Sequence, residues 1–186
     1  MNSLPYISKP AVRIEKNGVL HQNPFLTITQ SKGIFDGFEK NYYVADFGPR
    51  AGIVAVKDGS ILLSAQYRLL IDDISWELPG GRIDEGEGPV VAACRECWEE
   101  TRVSCENLMP LVTYRPGLDN VENLTHIFYS ESITSIDLFL PDPQESLAIA
   151  WVPLEEACSL VLSHKITDAM TVAGILAYRL MKNRLK

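Results

Sequence analysis

The chain is short of most of the ingredients that would settle its class at once. It has four cysteines in 186 residues, Cys94, Cys97, Cys105 and Cys158, too few and too scattered for a disulfide-stapled scaffold. Its three histidines, His21, His126 and His164, lie far apart and suggest no catalytic triad or zinc site. No apolar run reaches the ~18 residues of a membrane span, and the first ten residues hold no apolar signal segment. Basic residues are scarce relative to acidic ones, 17 against 24, for a net charge of −7. That sign disfavours nucleic acids and anionic membranes as partners. Neither a phosphate-cradling glycine loop, Gly-x-Gly-x-x-Gly, nor a Gly-x-Ser-x-Gly nucleophile turn occurs. A cytoplasmic protein with reduced thiols is expected.

What is present is ordinary for a globular chain, with 46% hydrophobic and 22% charged residues. Strand signals come first. Val12–Glu15 leads into Asn17-Gly18, which predicts a hairpin turn, followed by strands at Phe25–Thr29 and Tyr42–Asp46. Gly48–Gly52 punctuates the chain, so residues 1–48 read as an N-terminal antiparallel β arm and 49–186 as the main domain. Beyond it, Ile53–Val56 and Ile61–Ala65 flank the hairpin turn Asp58-Gly59. Further strands are predicted near Leu111–Tyr114, His126–Glu131 and Ala148–Val152. Helices are predicted from Pro89, over Pro153–Leu162, and at the C-terminus with Thr167 as N-cap. Strands with interspersed helices imply an α/β fold with helices packed on a sheet.

The helix after Gly88-Pro89 carries the chemistry. At 100° per residue, Glu96, Glu99 and Glu100 share an arc of about 100°, with Arg95 one turn from Glu99. Val90, Val91, Cys94, Cys97 and Trp98 fall on the other side, which predicts a carboxylate face and an apolar face. Cys94 and Cys97 are accordingly read as buried rather than metal-binding. Taken alone, the carboxylate arc fits a solvated surface as well as a site for a hard divalent cation.

Its context decides between the two. Gly81, five residues, Glu87, seven residues, then Arg95-Glu96-Cys97-Trp98-Glu99-Glu100-Thr101-Arg102-Val103 resembles the signature of the Nudix hydrolases. The resemblance implies an α/β/α sandwich with a mixed sheet, and hydrolysis of a nucleoside diphosphate linked to another group. It implies Mg²⁺ or Mn²⁺ held by Glu96, Glu99, Glu100 and the carbonyl of Gly80, with Glu99, Glu100 and Arg95 serving catalysis. Glu87 and Arg95 are then the ion pair that ties loop to helix. One position departs, since Arg102 stands where the family has a helix-ending glycine. A non-glycine residue is disfavoured in the left-handed conformation, so the helix is expected to run on or to end without that cap.

Flanking residues, Gln66-Tyr67-Arg68, Trp76 to Asp84, Pro116-Gly117 and Trp151 to Ala157, resemble the ADP-ribose pyrophosphatase branch. This branch acts on nucleoside diphosphate sugars, and its extra N-terminal strands build a homodimer. Arg68, Trp76, Glu77, Gly81 and Pro116 are the expected substrate contacts, and Glu145 the candidate general base. The alternatives are a family member acting on GDP-mannose, a dinucleotide or a nucleoside triphosphate, and a non-catalytic module that binds nucleotide sugars.

Overall fold

The computed structural model describes residues 4–137 and 146–184. In chain order the strands of the first half are β1 (Val12–Asn23), β2 (Leu26–Phe35), β3 (Phe38–Asp46), β4 (Arg50–Lys57), β5 (Ser60–Arg68), β6 (Asp73–Glu77) and β7 (Gly80–Arg82). Helix α1 (Pro89–Thr101) follows, then β8 (Val103–Glu106), β9 (Met109–Tyr114), β10 (Val121–Glu122), β11 (Thr125–Ser130), β12 (Ser132–Ile136) and β13 (Ala148–Pro153). Helices α2 (Leu154–Leu162) and α3 (Ala169–Arg184) close the chain. The chain separates into two units, one of residues up to 47 with 117–123, the other of 48–116 with 124 onward.

The smaller unit is a sheet in the order β1-β2-β3-β10, with β10 parallel to β3 and the rest antiparallel. The hairpin expected at Asn17-Gly18 is not there. β1 runs straight through it, with Asn17 and then Leu20 left over as bulges against β2. Gly18, at φ +118°, relieves the bulge instead of making a turn. The turn falls at Pro24-Phe25, where the side chain of Asn23 accepts hydrogen bonds from the backbone N–H of Phe25 and Leu26, both at 2.9 Å. An asparagine that bonds its own downstream backbone competes well with Asn-Gly as a turn former.

The larger unit holds a mixed sheet, β13-β5-β4-β11-β9, with β6 added on β5 and β7 on β4. β4 and β11 run parallel and the other pairs antiparallel. Asp58 and Gly59 both take positive φ at the β4–β5 turn, as expected for a two-residue hairpin. Both faces of β4 are buried, which is why Gly52–Val56 reads as an unbroken apolar run. Ile53 and Ala55 pack with Ala92, Ala93 and Cys97 of α1. Val54 and Val56 pack with Ala157 and Val161 of α2 and Met170, Ile175 and Tyr178 of α3. The result is helix, sheet, helix: the α/β sandwich with a mixed sheet. α3 is capped by Asp168, one residue after the expected Thr167. Its carboxylate accepts from the backbone N–H and the hydroxyl of Thr171, at 2.8 and 2.7 Å. No helix among the described residues is long and apolar enough to cross a membrane.

Candidate active site

α1 starts at Pro89, where the missing N–H costs nothing, and ends at Thr101. Arg102 adopts the left-handed conformation (φ 57°, ψ 25°) and its N–H bonds the carbonyl of Trp98. The helix therefore neither runs on nor loses its cap, contrary to the expectation drawn from the missing glycine. The guanidinium of Arg102 lies 5.6 Å from the centre of the Trp98 ring, a cation–π contact that offsets part of the strain.

The expected apolar face is also corrected. Val90, Val91 and Trp98 are exposed, whereas Ala92, Ala93, Cys97, Glu100 and Thr101 are buried. The arc pressed onto the sheet thus includes a carboxylate. A helical projection shows where polarity lies, not which side the sheet takes, and small alanines rather than the valines allow close packing. Cys97 is buried and Cys94 half-buried, and all four cysteines are free thiols.

Arg95 is the hub of the site. Its Nε and Nη2 donate to the two oxygens of Glu87 at 3.0 and 2.9 Å, a two-pronged fork. Nη1 donates to Glu96 at 2.8 Å and to Glu99 at 3.0 Å. Nη2 also reaches the carbonyl of Arg82 at 2.9 Å, on the strand that leads into the loop. These bonds raise the guanidinium's pKa far above its usual value and hold the Glu87 carboxyl below its own. Gly81 lies directly under Glu96: a Cβ there would overlap the Glu96 carboxylate.

Glu100 is 5% exposed. Gln66 donates to one of its oxygens at 2.8 Å, Ser64 to the other at 3.2 Å, and the backbone N–H of Gly80 adds a third bond. Burial nevertheless dominates and pushes its pKa up to about 8, with the charge of Glu96 adding to the rise. Burial also raises Glu96, against the pull of Arg95. The partners Ser64 and Gln66 were not identified as site residues from sequence. The signal was there, because both lie in β5 with Arg68, and Ser64 and Gln66 share one strand face.

Arg68 and Glu77, both expected to meet substrate, meet each other. Nε and Nη2 of Arg68 fork onto Glu77 at 2.8 and 2.6 Å. Burial would raise Glu77, but the hydrogen bonds and charge of Arg68 outweigh it and hold the carboxyl below its ordinary range. Trp76 pairs with Ala65 and packs against the core on the α2–α3 side. Pro116 is exposed in the loop after β9, outside this hydrogen-bonded group. Glu145 lies outside the described residues.

Among the described residues, no three His, Cys, Asp or Glu side chains are disposed around one point as a metal cage. Arg95 engages Glu96 and Glu99, while Gln66 and Ser64 engage Glu100. The donor chemistry still fits a hard divalent cation. The available ligands are carboxylate oxygens, two of them held at raised pKa by burial, and a cation relieves that penalty.

Residues 46–173 match the NUDIX domain family. The chain belongs to the Nudix family. It is 32% identical over 161 residues to the CMP-5′-(N-acetyl-N-hydroxy-3-aminopropyl)phosphonate hydrolase of Streptomyces rubellomurinus, covering 86% of this chain and 78% of that one. It is 27% identical over 129 residues to the ADP-ribose pyrophosphatase of Bacillus subtilis, covering 69% and 70%. Its fold matches a crystal structure of an ADP compounds hydrolase with a TM-score of 0.79, at 19% identity and 98% coverage of both chains. That Nudix fold is the α/β/α sandwich seen here.

Proposed function

We propose that this Nudix protein is a pyrophosphohydrolase that cleaves the diphosphate bridge of ADP-ribose or a related nucleoside diphosphate sugar with Mg²⁺ or Mn²⁺, giving a nucleoside monophosphate and a sugar phosphate. The observation that carries the reading is Arg95 of α1 bonded to Glu96 and Glu99 of the same helix and to Glu87 of the preceding loop, with the buried Glu100 on that helix held by Gln66 and Ser64. The relatives named ADP-ribose pyrophosphatase support the substrate class. The Streptomyces relative favours a second reading, in which a nucleotide is joined to a phosphonate instead of a sugar phosphate. Both substrates present the same bridge between two phosphorus atoms.

Glu96, Glu99 and Glu100, with the carbonyl of Gly80, are the groups that would hold the metal. When bound, the metal neutralises phosphate oxygens and lowers the pKa of water. Arg95 keeps Glu96 and Glu99 oriented and ties the loop through Glu87. Gln66 and Ser64 orient Glu100 and prevent it from rotating away. Gly81 leaves room for Glu96. Arg68, with Nε and Nη2 committed to Glu77, has Nη1 to offer to a phosphate or sugar oxygen. Trp76, Glu77 and Pro116 border the nucleoside in this reading, and Glu145 is the general base. We also read the protein as a cytoplasmic homodimer joined through its N-terminal strands, where Ile14, Val19, Leu20, Phe38 and Tyr43 are exposed.

The test is product analysis. With ADP-ribose and Mg²⁺ the wild type yields AMP and ribose 5-phosphate, and Glu100→Gln lowers kcat by 10²-fold or more, on the order seen for loss of a charged group in a buried site. Absence of turnover on every nucleoside diphosphate sugar and CMP-phosphonate offered, with binding retained, would leave a non-catalytic binding module.

A further inference from the structure

Arg50 opens β4 beside the candidate site, and its side chain is not explained by the fold. Its backbone pairs with Arg82 of β7 on one side and Thr125 of β11 on the other. Ala51, the next residue, packs with α1, so alternation turns Arg50 to the other face of the sheet. There its charge reaches Glu77, Tyr114 and, at the strand end, Glu96. These neighbours do not use it up. Glu77 is forked by Arg68, and Glu96 accepts from Arg95. The Nε of Arg50 is buried without a hydrogen-bond partner among the described residues.

A buried N–H on a permanently charged group is costly to leave unpaired, and such a group in a native fold calls for an explanation. Two other guanidiniums of the cluster, those of Arg68 and Arg95, have their forks filled by carboxylates. Arg50 stands between the carboxylates that border the site and holds a donor in reserve. A planar fork with an unspent donor suits a phosphate oxygen better than any neutral group.

We infer that Arg50 binds a non-bridging oxygen of the substrate's diphosphate, with Nε as one of the donors. The inference rests on the pyrophosphohydrolase reading for its substrate, but not for the anion it binds. Arg50 is a binding residue in this assignment. It lowers the energy of the bound diphosphate and takes no proton from it.

Two measurements test it. In the first, Arg50→Gln and Arg50→Lys are compared with wild type for KM on ADP-ribose and for the calorimetric Kd of inorganic pyrophosphate in Mg²⁺ buffer. Arg50→Gln raises both by about 10- to 100-fold, the loss expected for a charge-assisted hydrogen bond, and changes kcat less than KM. Arg50→Lys, which keeps the charge and loses the fork, falls between the two. In the second, which needs no stable variant, the Arg50 Nε–H resonance of the wild type shifts on addition of pyrophosphate. A folded Arg50→Gln with KM and Kd within twofold of wild type overturns the inference, and so does an unmoved Nε–H resonance in pyrophosphate-saturated protein. If the wild type cleaves no nucleoside diphosphate compound while the resonance still shifts, the pyrophosphohydrolase reading fails and the anion site at Arg50 stands.

Discussion

Glu100 shows at the scale of one residue how an acidic side chain becomes both a liability and a tool. In metal-free protein its folded pKa of about 8 lies above the ordinary carboxyl value of 4.5. The folded state keeps its proton up to about pH 8, whereas the unfolded chain releases it near 4.5. Between those values folding takes up a proton, so stability falls as pH rises across the window. Glu96, raised in the same direction, adds to the slope. Urea denaturation in EDTA should therefore show a lower midpoint at pH 8.5 than at pH 5.5. Glu100→Gln should flatten that slope and raise the midpoint at pH 8.5. An unchanged slope in the variant would show that the carboxyl is charged and solvated in the folded state. The three carboxylates on α1 were legible from spacing alone. That one of them is buried and bonded to Gln66 and Ser64 was not, because those bonds join positions 34 and 36 residues apart. Arg95 was legible as a brace for Glu99, since i,i+4 neighbours on a helix meet.

At the scale of elements, helix ends decide how firmly the site is held. Asp168 caps α3 through Thr171, and the hydroxyl of Thr171 in turn accepts from the backbone N–H of Leu78 at 2.9 Å. A single cap thus joins α3 to the segment between β6 and β7. Asp168→Ala should cost about 1–2 kcal/mol, a fall in Tm of roughly 2–8 °C in a chain of this size. Thr171→Val, which leaves the Leu78 N–H unpaired, should cost at least as much, and calorimetry of the two variants checks both. Arg102→Gly removes a strain of about 1–2 kcal/mol and a cation–π contact worth roughly 0.5–1 kcal/mol, so it should stabilise by no more than about 1.5 kcal/mol. Sequence reasoning placed the cap of α3 one residue early, since Thr167 and Asp168 are both good capping residues. It missed the left-handed arginine because a propensity says what a residue prefers, not what its neighbours repay. The Asp58-Gly59 hairpin was legible because two strong apolar runs flank it. Asn17-Gly18 misled because its flanks are exposed and weakly patterned, so nothing fixed the register.

For the whole molecule, the net charge of −7 and the proposed phosphate chemistry are compatible once the acids are located. Part of the excess lies in the turn and helix between Asp84 and Glu100, where the divalent cation proposed above would reverse its sign. The homodimer reading predicts twice the 20.7 kDa chain mass in light scattering. Charged replacements at Val19 and Phe38 together should shift it to one chain mass. A single chain mass for the wild type at micromolar concentration would exclude that assembly. The two-layered burial of the main sheet was legible from its apolar runs, but the order of its strands was not. Strand order depends on pairings between distant segments, which local patterns do not encode.

The parallel pairing of β4 with β11 has a consequence for how the chain must come together. Arg50 lies beside Thr125, 75 residues later, and everything that forms the carboxylate cluster is threaded between them. Closing so long a loop is slow compared with zipping up a hairpin. A nascent chain that has emerged only as far as α1 holds the cluster's glutamates but lacks β11, so one edge of β4 is open. Such an edge, apolar on both faces, is a template for pairing with other chains. The protein's most vulnerable moment is therefore during synthesis, after the acids have been made and before the strand that shields their scaffold has arrived.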